Sequence, residues 1–314
     1  MVMPRFAATL ISCLLAGALL APAAGAKTPV AIGLGDQNPA MFGQKNFKAL
    51  NVKKVRYFIR WDAMKVGYAR KAADQYVAAA KRAHVKVFMH ISTNDYRHGK
   101  AKLPSVKSYK RYVGNLVKRY RKLGVTDWGV WNEANHISEP TFNNPKRAAQ
   151  YFHVMRGLCK GCHIVALDVL DQRGTTSYIR RFYAALSRTD RSAAALVGIH
   201  NYGDTNRHRT SGTASIIAAV RSHNNRARFW FTETGGIVNL GKSFKCSTSR
   251  AATALKYMFT LARKYRRDVT RLYAYNWFGT KPSCKGFDSG LVNYNGTPRK
   301  GYKTFKAGAK SFAR

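Results

Sequence analysis

Glutamate is rare in this 314-residue chain, which has only three: Glu133, Glu139 and Glu233. Two of them end apolar, aromatic-rich runs, Glu133 in VTDWGVWNE and Glu233 in ARFWFTE. Two carboxylates that face one substrate can divide acid–base and nucleophilic work, one giving a proton to a leaving oxygen and the other attacking a carbon. The alternative is that each glutamate is a solvated loop residue or the partner of one of the chain's many cations.

The positions of these glutamates depend on the elements that precede them. Short apolar runs alternate with longer segments whose apolar residues recur at helical spacing. The short runs predict strands at 30–35, 54–59, 85–91, 127–132, 163–169, 195–200, 227–232 and 271–277. The longer segments predict helices near 40–49, 71–83, 107–122, 145–157, 176–187, 213–222, 248–264 and 299–312.

Eight strand–helix units predict a single (β/α)8 barrel, the TIM barrel of the α/β class. An open doubly wound sheet would also explain the alternation. However, GLGDQNP lacks the glycine spacing of a dinucleotide-binding turn and has Pro39 where the helix should open. In a barrel, residues at the carboxyl ends of the strands share one crater. Glu133 after the fourth strand and Glu233 after the seventh would then face each other, as glycoside hydrolysis requires.

Five short motifs resemble those of the clan A glycoside hydrolases, which are barrel enzymes, and of their family 39 in particular. The acid/base of that clan follows the fourth strand in an Asn-Glu pair, which WNEAN at 131–135 resembles, with Ala134 replacing a proline. The nucleophile of the clan follows the seventh strand, as WFTETG does at 230–235. The other matching positions are Val55-Arg56 with Trp61, His200-Asn201-Tyr202, and Trp277. The resemblance covers essentially the whole chain after residue 26.

This resemblance implies a retaining O-glycoside hydrolase that works by double displacement and needs no cofactor. Glu133 would be the acid/base and Glu233 the nucleophile. Arg56 and Tyr202 would donate to Glu233 and keep it ionised. The residues expected to bind substrate are Asn132, Arg56, His200, Tyr202, Trp277 and, after the first strand, Asp36.

An acid/base glutamate must keep its proton near the working pH, which requires apolar or anionic surroundings. Trp128 and Trp131 are expected to supply the apolar part around Glu133. Trp61, Tyr96 and Trp277 are candidates for stacking on sugar rings, although aromatic residues are also the ordinary filling of a core. The amide of Asn132 could hold a sugar 2-hydroxyl.

The amino terminus has the form of an export signal. MVMPRF is a short basic start, AATLISCLLAGALL is apolar but too short to span a membrane, and Ala24-Gly25-Ala26 offers small residues for cleavage. We expect residues 1–26 to be a signal peptide, residues 27–314 to form one catalytic domain, and the protein to be secreted. An uncleaved amino-terminal anchor is the alternative.

Four cysteines follow this leader, and an even number in an oxidising compartment indicates disulfide bonds. Cys246 and Cys284 lie after strands seven and eight, on neighbouring loops of the crater, and are expected to pair. Cys159 and Cys162 precede the fifth strand on the opposite face and are expected to pair locally. Cys-x-x-Cys could also be a redox motif or half of a zinc site, but no second pair accompanies it, so no metal is expected.

The chain is extremely basic, with a formal net charge of +41. Such a surplus attracts polyanions, so an anionic glycan is a candidate substrate and the cell wall a candidate location. No motif for specific nucleic-acid binding is recognisable, no further segment could span a membrane, and we expect a monomer. The alternative function is a barrel that binds wall polysaccharide or another polyanion without hydrolysing it. The intact Asn132, Glu133, Tyr202 and Glu233 favour the enzyme.

Overall fold

The computed structural model describes residues 30–97 and 99–312. The expected signal peptide and its cleavage point lie outside the described residues, and both stay predictions. Within the described part, the chain forms a barrel of parallel strands surrounded by helices.

Nine parallel strands form the barrel wall, and two further short strands lie outside it. In chain order the eleven are β1 (Ala31–Gly35), β2 (Lys54–Arg60), β3 (Lys86–Ser92), β4 (Asp127–Gly129), β5 (His163–Val165), β6 (Leu167–Leu170), β7 (Leu196–His200), β8 (Arg228–Thr234), β9 (Asn239–Leu240), β10 (Val269–Tyr275) and β11 (Phe287–Asp288). The spatial order of the nine is β5-β4-β3-β2-β1-β10-β8-β7-β6.

The first and last strands of this order, β5 and β6, follow one another in the chain and are separated only by Ala166. β5 pairs with β4, and β6 pairs with β7. The Ala166 N–H donates to the carbonyl of Leu196, 2.8 Å away, so the chain changes partner at this residue. β5 and β6 together form the fifth of eight barrel strands. The predicted (β/α)8 TIM-barrel fold is therefore confirmed, and the predicted strand 163–169 is divided in two.

Ten α-helices surround the strands in the described part of the chain. They are α1 (Lys45–Lys48), α2 (Gly67–Arg82), α3 (Val106–Arg121), α4 (Pro145–Leu158), α5 (Thr175–Ala184), α6 (Arg188–Ala193), α7 (Tyr202–Arg207), α8 (Ser211–Arg221), α9 (Thr248–Lys264) and α10 (Lys300–Lys310). None of the helices within residues 30–97 and 99–312 is long and apolar enough to cross a membrane.

α3 shows how a very basic sequence still folds onto an apolar core. Tyr109, Val113 and Leu116 recur at helical spacing and are fully buried. The lysines and arginines between them face solvent, while Ser105 accepts the Ser108 N–H and caps the first turn. The charge of this segment is thus a solvated helix face.

Three parts of the chain differ from the predicted pattern. The predicted helix 40–49 is divided into a 3-10 helix, Pro39–Gly43, and the single turn of α1. The short helices α6 and α7 occupy stretches predicted as loops. The predicted strand 127–132 ends at Gly129, because the residues after it turn into the crater.

β9 and β11 form a two-stranded antiparallel ribbon beside the crater, with Leu240 paired to Phe287. A disulfide joins Cys246 and Cys284, on the loops that carry these two strands. A second disulfide joins Cys159 and Cys162 at the opposite end of the barrel. Both pairings agree with the sequence-based prediction.

Candidate active site

Glu133 lies on an irregular turn just beyond β4. The Asn132 N–H donates to the carbonyl of Ile91, at 2.7 Å, and so keeps this turn attached to β3. Glu133 itself has a φ of 40°, a left-handed conformation that is unfavourable for a residue with a side chain. Asp168 holds it there, because its Oδ1 accepts the Glu133 N–H at 3.0 Å and its carbonyl accepts the Ala134 N–H at 2.9 Å.

Glu233 lies near the carboxyl end of β8 and receives two side-chain hydrogen bonds, one from β2 and one from the first residue of α7. Arg56 donates through Nη1 to Oε2, at 2.5 Å, and Tyr202 donates through its hydroxyl to Oε1, at 3.0 Å. The Arg56 guanidinium is buried, and although burial opposes its charge, Glu233 raises its pKa above the usual value. Both donors that the sequence analysis expected at Glu233 are present.

Arg56 also orders two neighbours of Glu233. Its Nη2 donates to Oδ1 of Asn132, and its Nε donates to Nδ1 of His90 at 3.2 Å. Burial, with Arg56 adding to it, lowers the pKa of His90 to about 3, so this ring is neutral and accepts through Nδ1. His90 was not predicted, although a polar residue within the buried run VKVFMHI was a usable signal.

His200 lies between the two glutamates. Its Nδ1 is 2.9 Å from Oε1 of Glu133 and 3.9 Å from Oε2 of Glu233, and its Nε2 is 3.0 Å from Oδ1 of Asp168. Burial opposes charge on the ring, but Asp168 and Glu233 outweigh it and raise the pKa of His200 to about 10. The expectation that His200 touches sugar is wrong, because the side chain is completely buried and contacts carboxylates instead.

The surroundings of Glu133 also differ from those expected. Trp128 and Trp131 are buried nearby in the core, and burial alone would raise the pKa of Glu133. The hydrogen bond and positive charge of His200, helped by His136 at 3.9 Å, outweigh this and lower that pKa. The carboxylate is therefore ionised beside an imidazolium, and a proton on Nδ1 of His200 lies one hydrogen bond away.

Asp168 is the central acceptor beneath the site and was not predicted. In addition to its contact with His200, its carboxylate accepts a hydrogen bond from the hydroxyl of Thr232. Burial would raise its pKa, but the charge and hydrogen bond of the His200 imidazolium, together with the charge of Arg56, hold that pKa far below the usual range. Gly198 leaves room for this carboxylate, since a β-carbon there would lie 2.0 Å from Oδ2. A lone acid in the apolar run HIVALDV was the available signal.

Glu139, the third glutamate, is buried next to the site. Its Oε2 accepts the indole N–H of Trp131 at 2.8 Å. Burial and then the charge of Glu133 raise the pKa of Glu139 to about 8, against the donors Trp131 and Asn132. Glu139 is therefore protonated at neutral pH and does not compete with Glu133 for the positive charge of His200.

Aromatic rings line one side of the crater. Phe58 contacts Tyr96 and Tyr275, with ring centroids 6.0 and 6.1 Å apart. Phe287 of the ribbon packs on Tyr275 at 6.3 Å and edge-on against Tyr202 at 5.5 Å. Tyr96 is 50% exposed and Phe287 37%, so these two rings present apolar surface to a ligand. Tyr96 was among the rings predicted from the sequence, whereas Tyr275 and Phe287 were not.

Trp277 and Asp36 are bound to each other instead of facing the crater. Trp277 is completely buried and its Nε1 donates to Gln44 at 3.0 Å, so the prediction that it floors the sugar site is wrong. Asp36 Oδ2 accepts the N–H groups of Trp277 and Phe278, at 3.0 and 2.9 Å, and its Oδ1 accepts that of Asn38 at 2.8 Å. These backbone donors occupy the carboxylate that was expected to bind a sugar hydroxyl.

No protein-family model and no curated protein matches the chain, but its fold matches solved structures. A family 39 glycoside hydrolase from Bacteroides cellulosilyticus WH2 aligns at 14% identity and TM-score 0.59, over 90% of this chain and 64% of that one. This chain thus spans less than two thirds of that relative. GH5_18 from Streptomyces cattleya, in complex with GlcNAc, aligns at 12% identity and TM-score 0.65, over 92% and 81%. Xylanase XynB from Paenibacillus barcinonensis aligns at 14% identity and TM-score 0.62, over 88% of this chain and 95% of that one.

The chain shares its fold with clan A glycoside hydrolases. This agrees with the resemblance carried by the short motifs. At such low identity the likeness establishes the barrel and no more, because one barrel fold supports many activities. The case for chemistry in this chain therefore depends on the geometry around Glu133 and Glu233. Among residues 30–97 and 99–312, no group of three or more metal-binding side chains is placed to hold an ion.

Proposed function

We propose that this protein is a secreted, retaining O-glycoside hydrolase, with Glu233 as the nucleophile and Glu133 as the acid/base. The observation that carries the proposal is that two carboxylates, from opposite parts of the barrel wall, face one imidazole nitrogen at 2.9 and 3.9 Å. Paired carboxylates across a sugar site are the equipment of both retaining and inverting glycosidases. The unequal partners of the two glutamates support different roles for them.

The partners of Glu233 suit a nucleophile. Arg56 and Tyr202 each donate to one of its oxygens, which favours the ionised form and fixes the direction of attack. Glu233 attacks the anomeric carbon, a glycosyl ester forms, and the bond to the leaving oxygen breaks. Asn132, which precedes Glu133 in the chain and accepts a hydrogen bond from Arg56, offers its amide to the sugar 2-hydroxyl.

The partners of Glu133 suit a group that gives and takes a proton. The proton lies first on Nδ1 of His200, hydrogen-bonded to Glu133. A bound sugar displaces water and lowers the local dielectric, which favours the neutral pair over the ion pair. The proton then passes to Glu133 and on to the leaving oxygen. In the second half-reaction Glu133 takes a proton from the water that hydrolyses the ester.

The proposed substrate is a poly- or oligosaccharide outside the cell. Solved neighbours are named as xylanases, an exo-beta-1,4-mannosidase and a glucosidase, so pyranose glycans are the first substrates to test. Two disulfide pairs and the export-like amino terminus support secretion. The net charge of +41 supports an anionic glycan and association with the cell wall. We propose that residues 27–314 act as one domain and as a monomer.

A hydrolysis screen tests this proposal. The purified protein is incubated with neutral and uronate-containing glycans, and products are detected by mass spectrometry. We expect cleavage that Glu233→Ala abolishes, while circular dichroism shows that the variant is folded. NMR of the first-formed anomer should show retained configuration. Inverted product would overturn the retaining mechanism, and tight glycan binding without any cleavage would favour the non-hydrolytic barrel.

A further inference from the structure

The ribbon of β9 and β11 exposes an apolar pair beside the proposed nucleophile. Phe287 and Leu240 are directly opposite one another in this ribbon, and they are 37% and 39% exposed. Directly opposed residues of an antiparallel pair share one face, so the two side chains form a single apolar surface. The Phe287 ring also contacts Tyr202, which donates to Glu233. This surface therefore lies within two side chains of the proposed nucleophile.

The ribbon is held in place more firmly than an ordinary surface loop. Asp288, next to Phe287, is buried and accepts from Arg299 through both oxygens, at 2.7 and 3.0 Å. Asn239, next to Leu240, donates to the carbonyl of Gly286 at 2.7 Å. The disulfide between positions 246 and 284 ties the two supporting loops together. A ring on so fixed a support binds a ligand with little loss of conformational entropy.

Positive charge surrounds the apolar pair and is not neutralised locally. Lys242, Lys245 and Lys285 are exposed. Lys242 lies two positions after Leu240 and Lys285 two positions before Phe287, which puts both lysines at the same end of the antiparallel ribbon. In the stretches 239–245 and 281–288 the one acidic residue is Asp288. Its carboxylate is already bound by the guanidinium of Arg299, so it does not neutralise these lysines.

From these observations we propose that the ribbon is a subsite for an acidic pyranose, a sugar unit of the substrate that bears a carboxylate. The C–H face of the ring packs on Phe287 and Leu240, and the carboxylate faces Lys242 and Lys285. A uronate fits because its charge is attached directly to the stacked ring, beside the apolar surface. This inference rests on the proposed function and specifies the class of glycan that the same crater accepts.

The test measures binding separately from hydrolysis, with the full-length Glu233→Ala protein. Oligogalacturonates and glucuronate-bearing xylo-oligosaccharides are titrated by calorimetry in 0.15 M salt, each beside its carboxyl-reduced counterpart. We expect at least one acidic oligosaccharide to bind about tenfold or more tightly than its reduced form. The double substitution Lys242→Gln/Lys285→Gln should remove most of that preference.

Two matched controls separate the subsite from the general field of the protein. Lys118→Gln/Lys122→Gln removes the same two charges from the exposed face and carboxyl end of α3 and should leave the preference unchanged. Phe287→Ala should weaken the acidic and the reduced ligand by a similar factor, about tenfold. Phe287→Tyr keeps the ring and should bind as the parent does.

Three outcomes would overturn the subsite. The acidic and reduced oligosaccharides bind equally or not at all, or the α3 control loses the preference for acidic ligands as fully as the ribbon variant does. The third is that sulfated oligosaccharides bind more tightly than uronates. None of them concerns cleavage. Hydrolysis of any glycan by the unsubstituted protein, abolished by Glu233→Ala, would still support the proposed function. Selective binding of uronates without hydrolysis would support the subsite and contradict the enzyme.

Discussion

The Nδ1 atom of His200 lies 2.9 Å from Oε1 of Glu133, while Nε2 of the same ring lies 3.0 Å from Oδ1 of Asp168. One buried imidazolium therefore joins the proposed acid/base to a carboxylate beneath the site. In the proposed mechanism, the ring stores the catalytic proton and the buried carboxylate sets how firmly the ring holds it. Each role can be measured separately.

Replacing His200 by Gln should move the alkaline limb of the kcat/KM–pH profile to lower pH. The unsubstituted pair keeps its proton on a ring whose pKa is about 10, whereas the variant must keep it on the Glu133 carboxyl alone. The profile is measured with the glycan found in the hydrolysis screen. Tyr202→Phe is the control, since it removes a donor from Glu233 and should lower kcat without moving that limb. An unmoved limb in His200→Gln would contradict the proposed proton store.

Replacing Asp168 by Asn should lower the free energy of unfolding by about 3–5 kcal/mol, because it leaves the buried His200 imidazolium without its main partner. Urea unfolding at pH 7 measures the loss. Adding His200→Gln removes the stranded charge, so the double variant should be less destabilised than the sum of the two single variants. Strict additivity would show that the two groups do not interact.

Stability should fall as the pH rises from about 5 to 9. The pKa values of Asp36, Asp171, Glu139 and His200 are raised to about 6, 7, 8 and 10, so each group binds its proton more tightly in the folded state. Stability from such groups is complete below their unfolded pKa and is lost as the pH passes the folded value. Thermal unfolding at several pH values measures the slope.

Glu139→Gln provides the control for that slope, because the amide imitates the protonated carboxyl. The variant should lose less stability than the parent between pH 5 and 8, where the unfolded but not the folded Glu139 is ionised. A parent protein whose melting temperature rises over this range would show that the sign is wrong.

Azide should restore turnover to Glu133→Ala on substrates with good leaving groups. Those substrates need little protonation to form the ester on Glu233, but the variant has no base to activate water. Azide attacks without a base and should give a glycosyl azide of retained configuration, identified by mass spectrometry and NMR. Glu233→Ala cannot form the ester, so any azide formed by that variant must come from direct displacement and have inverted configuration. An azide of inverted configuration from Glu133→Ala would refute the assignment of roles.

The two disulfides should differ in their effect on stability. Cys246 and Cys284 are 38 positions apart, so removing their bond with serines should cost roughly 3–4 kcal/mol in the chain-entropy account. Cys159 and Cys162 are 3 positions apart, and the same account gives roughly 1.5 kcal/mol. Denaturant unfolding of the two double-serine variants compares them. Equal losses would mean that loop closure is not the source of the stability.

The barrel and the glutamate positions could be predicted because strand length, helical spacing and strand ends are local properties of the sequence. The importance of Asp168 and His90 could not, since it depends on which distant strands become neighbours. Trp277 was predicted to lie in the crater, but Tyr275 lies there instead. The cause is similar, because β10 ends at Tyr275 and the two residues after it turn outward onto the outer layer. Phe287 reaches the crater on the β9–β11 ribbon, whose strands are too short to show a periodic apolar pattern in the sequence.

All fourteen acidic residues of the chain contact a donor within the protein, and fourteen carboxylates can neutralise only a minority of the 55 lysines and arginines. Lysine and arginine keep their charge up to about pH 10, so the surface acts as a fixed-charge ion exchanger. Its adsorption to an acidic matrix should weaken at high salt concentration and change little at mildly alkaline pH. Short fragments engage fewer cations than long polymers do. A protein with this surface would dissociate from short glycan fragments and accumulate on the acidic polymers that are still long.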